Sequence, residues 1–219
     1  MTEPAPGFRI RAVRPDDTAG LYRVCLSTGA AGGDARPLYD DPELLGHLYV
    51  GPYAALEPEH ALVLEAAGGP AVDGGVAGYA VAALDTLRFH ALVRARWLPP
   101  LQRRYADPDG EPAGWSPDQR LSHLLHHPDE AFPADLPEAL RGYPSHLHID
   151  LLPSAQGRGL GRALMERLLA TLRRDGSGGV HLGVAASNVR AIGFYEHLGF
   201  TPLLEAYEAR AVWMGMPLR

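Results

Sequence analysis

A chain of 219 residues with 46% hydrophobic and 21% charged side chains has the apolar material for one large globular domain or two small ones. Its net charge of −6 includes no block of basic residues, which argues against a nucleic-acid partner. No apolar run of about 18 residues and no basic-apolar leader is present, which argues against a membrane partner and for a cytoplasmic location.

Residues 1–7 (MTEPAPG) read as a loose Pro-rich terminus. From Phe8 to Val13 polar and apolar residues alternate as in a half-buried strand, and Pro15-Asp16-Asp17 starts a helix carrying Leu21, Val24 and Cys25. The single Cys25 has no disulfide partner within the chain and sits among apolar neighbours as a core thiol. Residues 28–60 hold glycines, prolines and acids around a short apolar piece, Leu44 to Tyr53, expected to form a second helix followed by a loop. Ala61 to Ala67 and Gly75 to Leu84 are apolar runs separated by Gly68-Gly69-Pro70 and Asp73-Gly74-Gly75, the pattern of an antiparallel hairpin.

Residues 86–144 contain an aromatic and basic segment from Trp97 to Tyr105, a flexible Asp107-Pro108-Asp109-Gly110, an expected helix from Pro117 to His126 and a Pro-punctuated end. A long excursion of this kind is usually functional; the other readings are a packing bystander or a dimer contact. His123 and His127 would share a helix face beside His126, but neither a cysteine nor a placed carboxylate completes a ligand set, so no metal is expected.

Leu147, Ile149, Leu151 and Leu152 form an apolar strand ending at Pro153, and a polar loop leads to Gln156, Gly157, Arg158, Gly159, Leu160 and Gly161. Leu164, Leu168, Leu169 and Leu172 then recur at helical spacing, which predicts an amphipathic helix from Arg162 to about Arg174. Gly179 to Ala185 reads as a fifth strand, Ser187 as the cap of a helix from Asn188 to Leu198, Gly199 as its C-terminal cap, and Leu204 to Met216 as a closing hairpin.

Glycines between a strand and a helix suit a phosphate, because the first helical turn presents unpaired N–H groups and no Cβ blocks the approach. A Walker loop requires Gly-Lys-Ser/Thr, whereas Gly161 is followed by Arg162 and Ala163. A dinucleotide fingerprint begun at Gly157 or Gly159 would place its third glycine at Arg162 or Leu164, and the next strand lacks the acidic residue that fold needs.

Gln156-x-x-Gly159-x-Gly161 resembles the acetyl-CoA pyrophosphate motif of the GNAT superfamily of N-acetyltransferases. Asn188, Ala191 and Phe194-Tyr195-x-x-Leu198-Gly199-Phe200 resemble that superfamily's second CoA-side motif. The run from Trp97-Leu98-Pro99 to Tyr105, with Tyr143-Pro144-Ser145 and His148-Ile149-Asp150, resembles the acetyltransferase-like C-terminal domain of O-GlcNAcases over nearly the whole chain. In the animal enzymes that domain lacks the intact loop glycines, whereas Gln156, Gly159 and Gly161 are all present here, so cofactor binding is expected.

The resemblance implies an α/β fold of the mixed α+β kind: a central sheet of about six or seven strands, antiparallel and parallel, flanked by helices and splayed between strands 4 and 5. It implies a single domain over 1–219 with an insertion at about 86–144 between strands 3 and 4, and an acceptor side shaped by the 28–60 region. Acetyl-CoA is the implied co-substrate, with an amine as acceptor and no metal; monomer and homodimer both remain open. The implied cofactor contacts are Ile149, Leu151, Leu152, Gln156, Gly157, Arg158, Gly159, Leu160, Gly161, Arg162, Asn188, Ala191 and Tyr195.

A backbone N–H of Ile149 or Leu151 would face the thioester oxygen. Tyr195, protonated at neutral pH, would serve as acid toward the sulfur. His146, His148 and Asp150 share one face of their strand by period-two alternation, opposite Leu147, Ile149 and Leu151. Asp150 and Asn188 match residues proposed as catalytic in the O-GlcNAcase relatives. Asp150 is the favoured base; its other reading is a structural ion pair or cap. Many superfamily members carry the base on the opposite strand face, where this chain has Ser145 and Leu147, so a water-relayed base or none also stays open. The rival function is an acyl-CoA-binding sensor or interaction domain without turnover. Trp97, Tyr105, Trp115 and the arginines of the insertion point to an aromatic or anionic acceptor moiety.

Overall fold

Apolar runs spaced by turns give seven strands: β1 (Phe8–Ala12), β2 (Ala61–Ala66), β3 (Val76–Ala83), β4 (Ser145–Leu151), β5 (Gly179–Ala185), β6 (Thr201–Ala206) and β7 (Ala211–Pro217). The computed structural model describes residues 7–68, 75–206 and 211–218. The strands form one sheet in the order β1-β2-β3-β4-β5-β7-β6. All neighbours are antiparallel except β4 and β5, which run parallel. The expected mixed α/β architecture is therefore observed.

Both sheet faces are covered, which explains why β3 reads as an unbroken buried run rather than an alternation. On one face Val63, Tyr79 and Val81 pack with Leu21 and Val24 of α1 (Thr18–Thr28), Leu44 and Leu48 of α2 (Leu44–Tyr49) and Tyr53 of α3 (Gly51–Leu56). On the other, Leu62, Leu64, Ala80, Ala82 and Leu147 pack with Leu164, Leu168 and Leu172 of one later helix and Tyr195 of another.

The 86–144 excursion joins the first layer. It comprises α4 (Thr86–Leu92), a π-helical turn (Val93–Trp97), α5 (Leu98–Arg104), α6 (Pro117–His126) and the short α7 (Pro128–Ala131), and buries Phe89, Val93, Leu98, Leu125 and Phe132 in the same core. Its two ends are tied together: the Thr86 N–H donates to the Pro144 carbonyl at 2.8 Å, and Asp85 caps α4 by accepting the Arg88 N–H. The π turn precedes Pro99 and Pro100, whose missing N–H groups deny the preceding carbonyls ordinary helical partners.

Several element boundaries differ from expectation. Pro15–Asp17 is a single 3-10 turn and α1 begins at Thr18, because Asp17 is turned inward. The apolar piece from Leu44 to Tyr53 is two helices broken at Val50, where Pro52 lacks the N–H needed to continue. The helix after the glycine loop, α8 (Leu160–Arg174), starts two residues early because Gly159, at φ 72°, caps it. The helix after β5, α9 (Val189–His197), is capped by Asn188 rather than Ser187, the Asn188 Oδ1 accepting the Ala191 N–H at 3.1 Å. Gly199, at φ 97°, ends α9: the N–H groups of Gly199 and Phe200 reach back to the carbonyls of Glu196 and Tyr195. The closing hairpin starts at Thr201, not Leu204. The expected loose terminus over residues 1–6, residues 69–74 between the two expected hairpin strands, and residues 207–210 within the expected closing hairpin lie outside the described residues.

Candidate active site

The site begins with a gap in the sheet. β4 pairs with β3 along Gly78–Ala83, but with β5 only at Ser145–Val180 and His146–His181, after which the two parallel strands part. Leu152, just past the strand, sends its N–H to Ala77 on the β3 side. By strand alternation Asp150 and His148 direct their backbone groups to β3 as well, while Leu147, Ile149 and Leu151 direct theirs into the gap. The Leu151 carbonyl confirms that direction, since it accepts the Gln156 side-chain N–H at 2.8 Å from the gap side.

Gln156 thereby folds the glycine loop against β4. Gly157 and Gly159 both have φ 72°, a left-handed conformation that side chains disfavour, and a Cβ on either would meet open space rather than protein. The first α8 hydrogen bond runs from the Ala163 N–H to the Gly159 carbonyl, so the N–H groups of Leu160, Gly161 and Arg162 precede the helical ladder. A Cβ on Gly161 would stand 3.4 Å from the Phe194 ring, which closes the loop's far side.

A cleft of about 580 Å³ opens here, within the size range of small-molecule sites. It brings together Ile149, Asp150, Leu151, Gln156, Gly157, Gly159, Gly161, Arg162, Asn188, Ala191 and Tyr195, all singled out in the sequence. It leaves out three others. Leu152 packs against the α1-side core, Leu160 is buried in the α8-side core, and the Arg158 guanidinium lies over the Phe8 ring.

Thr28, Ala31, Gly32, Arg190 and Phe194 also line the cleft. Thr28 is the last residue of α1, and Ala31 and Gly32 lie in the turn that follows it, all far away in sequence and without any motif. A non-glycine φ of 51° at Ala31 is visible only in the fold. Phe194 belongs to the Phe194-Tyr195 motif on α9, and Arg190 sits beside Ala191 of the same motif, so both lie on an element that the sequence marks.

Asp150 sits at the cleft floor. The Tyr79 hydroxyl donates to its Oδ2 at 2.6 Å, and Thr28 supplies a second hydroxyl contact. Burial pushes the Asp150 pKa up to about 6, against the lowering effect of these hydrogen bonds. Among the described residues no cation pairs with it, so the ion-pair reading finds no support. Behind Tyr79 the Cys25 thiol is buried and its pKa pushed up to about 12 by desolvation, which keeps it a neutral core group.

Beside Asp150 on the same strand face runs a fixed chain of hydrogen bonds. The Thr86 hydroxyl donates to the Pro144 carbonyl and so accepts from His146 Nδ1 at 2.8 Å. His146 Nε2 then accepts from the Tyr53 hydroxyl at 2.6 Å, and that oxygen accepts from His148 Nε2 at 3.1 Å. Burial holds His146 well below the usual histidine range and His148 down to about 4, so both rings are neutral. The order leaves Nδ1 of His148 as a lone-pair acceptor, next to the half-exposed ring of Tyr49.

Tyr195 is buried between Phe194 and Phe200, and burial together with the Asp150 charge holds its hydroxyl above the usual phenol range. Asn188 lines the cleft, but its Oδ1 is occupied in capping α9. Trp97, Tyr105 and Trp115 of the 86–144 excursion do not line the cleft. Trp97 Nε1 donates to the His47 carbonyl, the Tyr105 hydroxyl to Asp41, and Trp115 Nε1 to the Asp109 carbonyl.

The acetyltransferase (GNAT) family model matches residues 98–200. Protein O-GlcNAcase of Rattus norvegicus is 26% identical over the whole of this chain, which spans only 23% of that relative's length. The crystal structure of SsHAT superposes with a TM-score of 0.86 at 40% identity, covering 98% of this chain and all of that one. The structure of yncA from Salmonella typhimurium, solved with its cofactor acetyl-CoA, shares the fold at a TM-score of 0.51 and 20% identity over 97% of this chain and 95% of its own. No helix among the described residues is long and apolar enough to cross a membrane. The family match, borne on the same strand, loop and helix that frame the cleft, and the end-to-end likeness to SsHAT lead to one conclusion: the chain belongs to the acetyltransferase (GNAT) family.

Proposed function

We propose that this chain moves an acetyl group from acetyl-CoA directly to an amine acceptor. The observation that carries the reading is the cleft itself, where unladdered N–H groups of a glycine loop, gap-facing backbone of β4, a protonated phenol and a desolvated carboxylate converge. Acetyl-CoA would supply an activated thioester carbonyl and a pyrophosphate anion. The N–H groups of Leu160, Gly161 and Arg162, at the positive end of the 15-residue α8, suit that anion. The gap-facing groups of Ile149 and Leu151 suit an extended amide chain laid alongside β4 as an added strand, with one N–H left for the carbonyl oxygen as charge develops there.

Asp150 acts as the proton acceptor for the incoming ammonium. An alkyl ammonium with pKa near 10.4 gives up its proton more readily to a carboxylate at about 6 than to one at its ordinary value. Tyr195 holds its proton at neutral pH and donates it toward the departing sulfur. Asn188 positions α9, and with it Tyr195, by capping the helix. The acceptor enters past Tyr49 and His148, on the side formed by α2 and α3.

Calorimetric binding of acetyl-CoA, followed by CoA release with a panel of primary amines, tests this reading. Binding with amine-dependent CoA release supports it. Binding without release for any amine makes the chain an acyl-CoA sensor, and no binding removes the cofactor assignment.

A further inference from the structure

A second cluster of ligating groups lies outside the cleft, in the excursion between β3 and β4. The sequence places His123 and His127 four residues apart but leaves them without a third ligand. The fold supplies one. Asp107 comes from the loop after α5, and its Oδ1 and Oδ2 stand 3.2 Å from His123 Nδ1 and 2.9 Å from His127 Nε2. The three ligand atoms all lie within 4.8 Å of one another. Ligands at about 2.0–2.1 Å from a tetrahedral centre are separated by about 3.3 Å, so only small side-chain shifts would bring these atoms onto one ion.

We propose that Asp107, His123 and His127 form a binding site for one borderline divalent transition cation, with Zn²⁺ as its representative. Two imidazoles and a carboxylate are the donor set such ions take, with the remaining position left to water because Asp107 and His127 are solvent-exposed.

The surroundings are built to hold these donors. His123 Nε2 faces Glu130 Oε1 at 3.3 Å, so the ring can keep its single proton on the outer nitrogen, donate it to Glu130 and offer Nδ1 to the ion. The Trp115 ring lies against His123, and Trp115 Nε1 donates to the Asp109 carbonyl, closing the loop that carries Asp107. His126, on the same helix but outside the donor set, donates from Nε2 to the Tyr105 carbonyl at 2.8 Å and fixes the loop two residues before Asp107. The site ties the α5–α6 loop to α6, which in turn holds the 40–41 backbone through Asp118. The expectation of no metal rested on a missing carboxylate, and Asp107 is that carboxylate.

The test uses the full chain without an affinity tag, stripped with a chelator and titrated with Zn²⁺ calorimetrically and with Co²⁺ by visible absorption. The expected result is one ion per chain, a tetrahedral Co²⁺ spectrum and a rise in melting temperature on adding Zn²⁺. Asp107→Asn, His123→Gln and His127→Gln should each lose the spectrum and at least about tenfold in affinity, and Glu130→Gln should weaken binding by about ten- to a hundredfold while keeping the spectrum. Equal metal-free melting temperatures across the set establish that these losses are not unfolding. Binding that survives all three ligand substitutions unchanged, or no saturable binding by the wild-type chain, overturns the proposal.

Discussion

Tyr79 and Asp150 are direct cross-strand partners on β3 and β4, and a neutral phenol, not a cation, is what holds the carboxylate in place. Burial, outweighing the lowering effect of that hydrogen bond, raises the Asp150 pKa from 3.8 to about 6, and that direction has a sign for stability. A carboxylate with a raised folded-state pKa favours folding most when protonated, below about pH 4, and that contribution fades as pH rises through about 6. At neutral pH the ionised group works against the fold by at most about 3 kcal/mol, at 1.36 per pK unit, less what the cleft's water returns. Asp150→Asn should therefore raise the melting temperature at pH 7.5 and change it little at pH 4; a lower melting temperature at pH 7.5 would make Asp150 a structural anchor.

The same pair predicts a kinetic profile. kcat/KM should rise with pH through about 6, and this acidic limb should vanish in Asp150→Asn. The Tyr79 hydrogen bond lowers the Asp150 pKa, so Tyr79→Phe should move the limb to higher pH without abolishing it. An unchanged limb in a folded Asp150→Asn variant would remove this residue as the base.

For the glycine loop, the conformation and the charge can be separated. Acetyl-CoA at a hundredfold excess over Kd should stabilise the wild-type chain by about 2.7 kcal/mol. Gly159→Asp should erase that protection, because it places a carboxylate where the pyrophosphate would sit. Gly159→Asn, which tolerates the φ of 72° and adds no charge, should retain part of it. Equal loss in both variants would mean that backbone shape alone, and not repulsion, was disturbed. Thermal melts across an acetyl-CoA series decide the matter.

Much of this fold and cleft could be read from the sequence because its determinants are local. The α8 stripe of Leu164, Leu168 and Leu172 and the period-two alternation of β4 each follow from spacing along one element. Gln156, Gly159 and Gly161 lie in a single short loop. What escaped depends on contacts between distant segments. Thr28 and Gly32 reach the cleft only because α1 packs on β3 and β4, and Asp107 meets His123 and His127 only because α5 and α6 pack together. The aromatic residues of the 86–144 excursion differ from expectation for a related reason. Composition marks Trp97 and Tyr105 as candidates for ligand contact, whereas packing spends their polar atoms on His47 and Asp41. Ser187 and Asn188 are adjacent residues of equal capping preference, and only the fold shows that Asn188 is the one that caps α9.

Arg11 and Asp17 set the entry to α1. Both Nη atoms of Arg11 reach the two Asp17 oxygens at 2.6 Å, the pair is 9% and 1% exposed, and Asp17 also accepts the Arg14 N–H. Removing Asp17 leaves the buried Arg11 with Glu65 as its remaining counter-charge, 3.2 Å from its Nε. Asp17→Ala should therefore cost less than the ~3–5 kcal/mol of a fully unpaired buried charge, on the order of 2–3 kcal/mol, and lower the melting temperature by roughly 5–10 °C. The apolar double substitution Arg11→Met with Asp17→Leu should recover much of that loss. A double variant no better than Asp17→Ala would place the cost in the lost Arg14 cap instead.

Tyr195 can be separated from every structural role by removing one atom. Its ring packs between Phe194 and Phe200 and is 8% exposed, and Phe keeps that ring. Tyr195→Phe should therefore fold with an unchanged melting temperature and bind acetyl-CoA with unchanged Kd. A thiolate is already a fair leaving group, so losing the acid should lower kcat only to the extent of about a hundredfold or less, the weak end of general-acid effects. KM for acetyl-CoA should hold, because the hydroxyl acts on the sulfur only as the bond to carbon breaks. The effect should also shrink for an acyl donor whose thiol is more acidic, since such a leaving group needs its proton less. A raised Kd for acetyl-CoA with kcat intact would make Tyr195 a binding residue, and a loss of the same size for every leaving group would show that the hydroxyl orients the donor rather than protonates it.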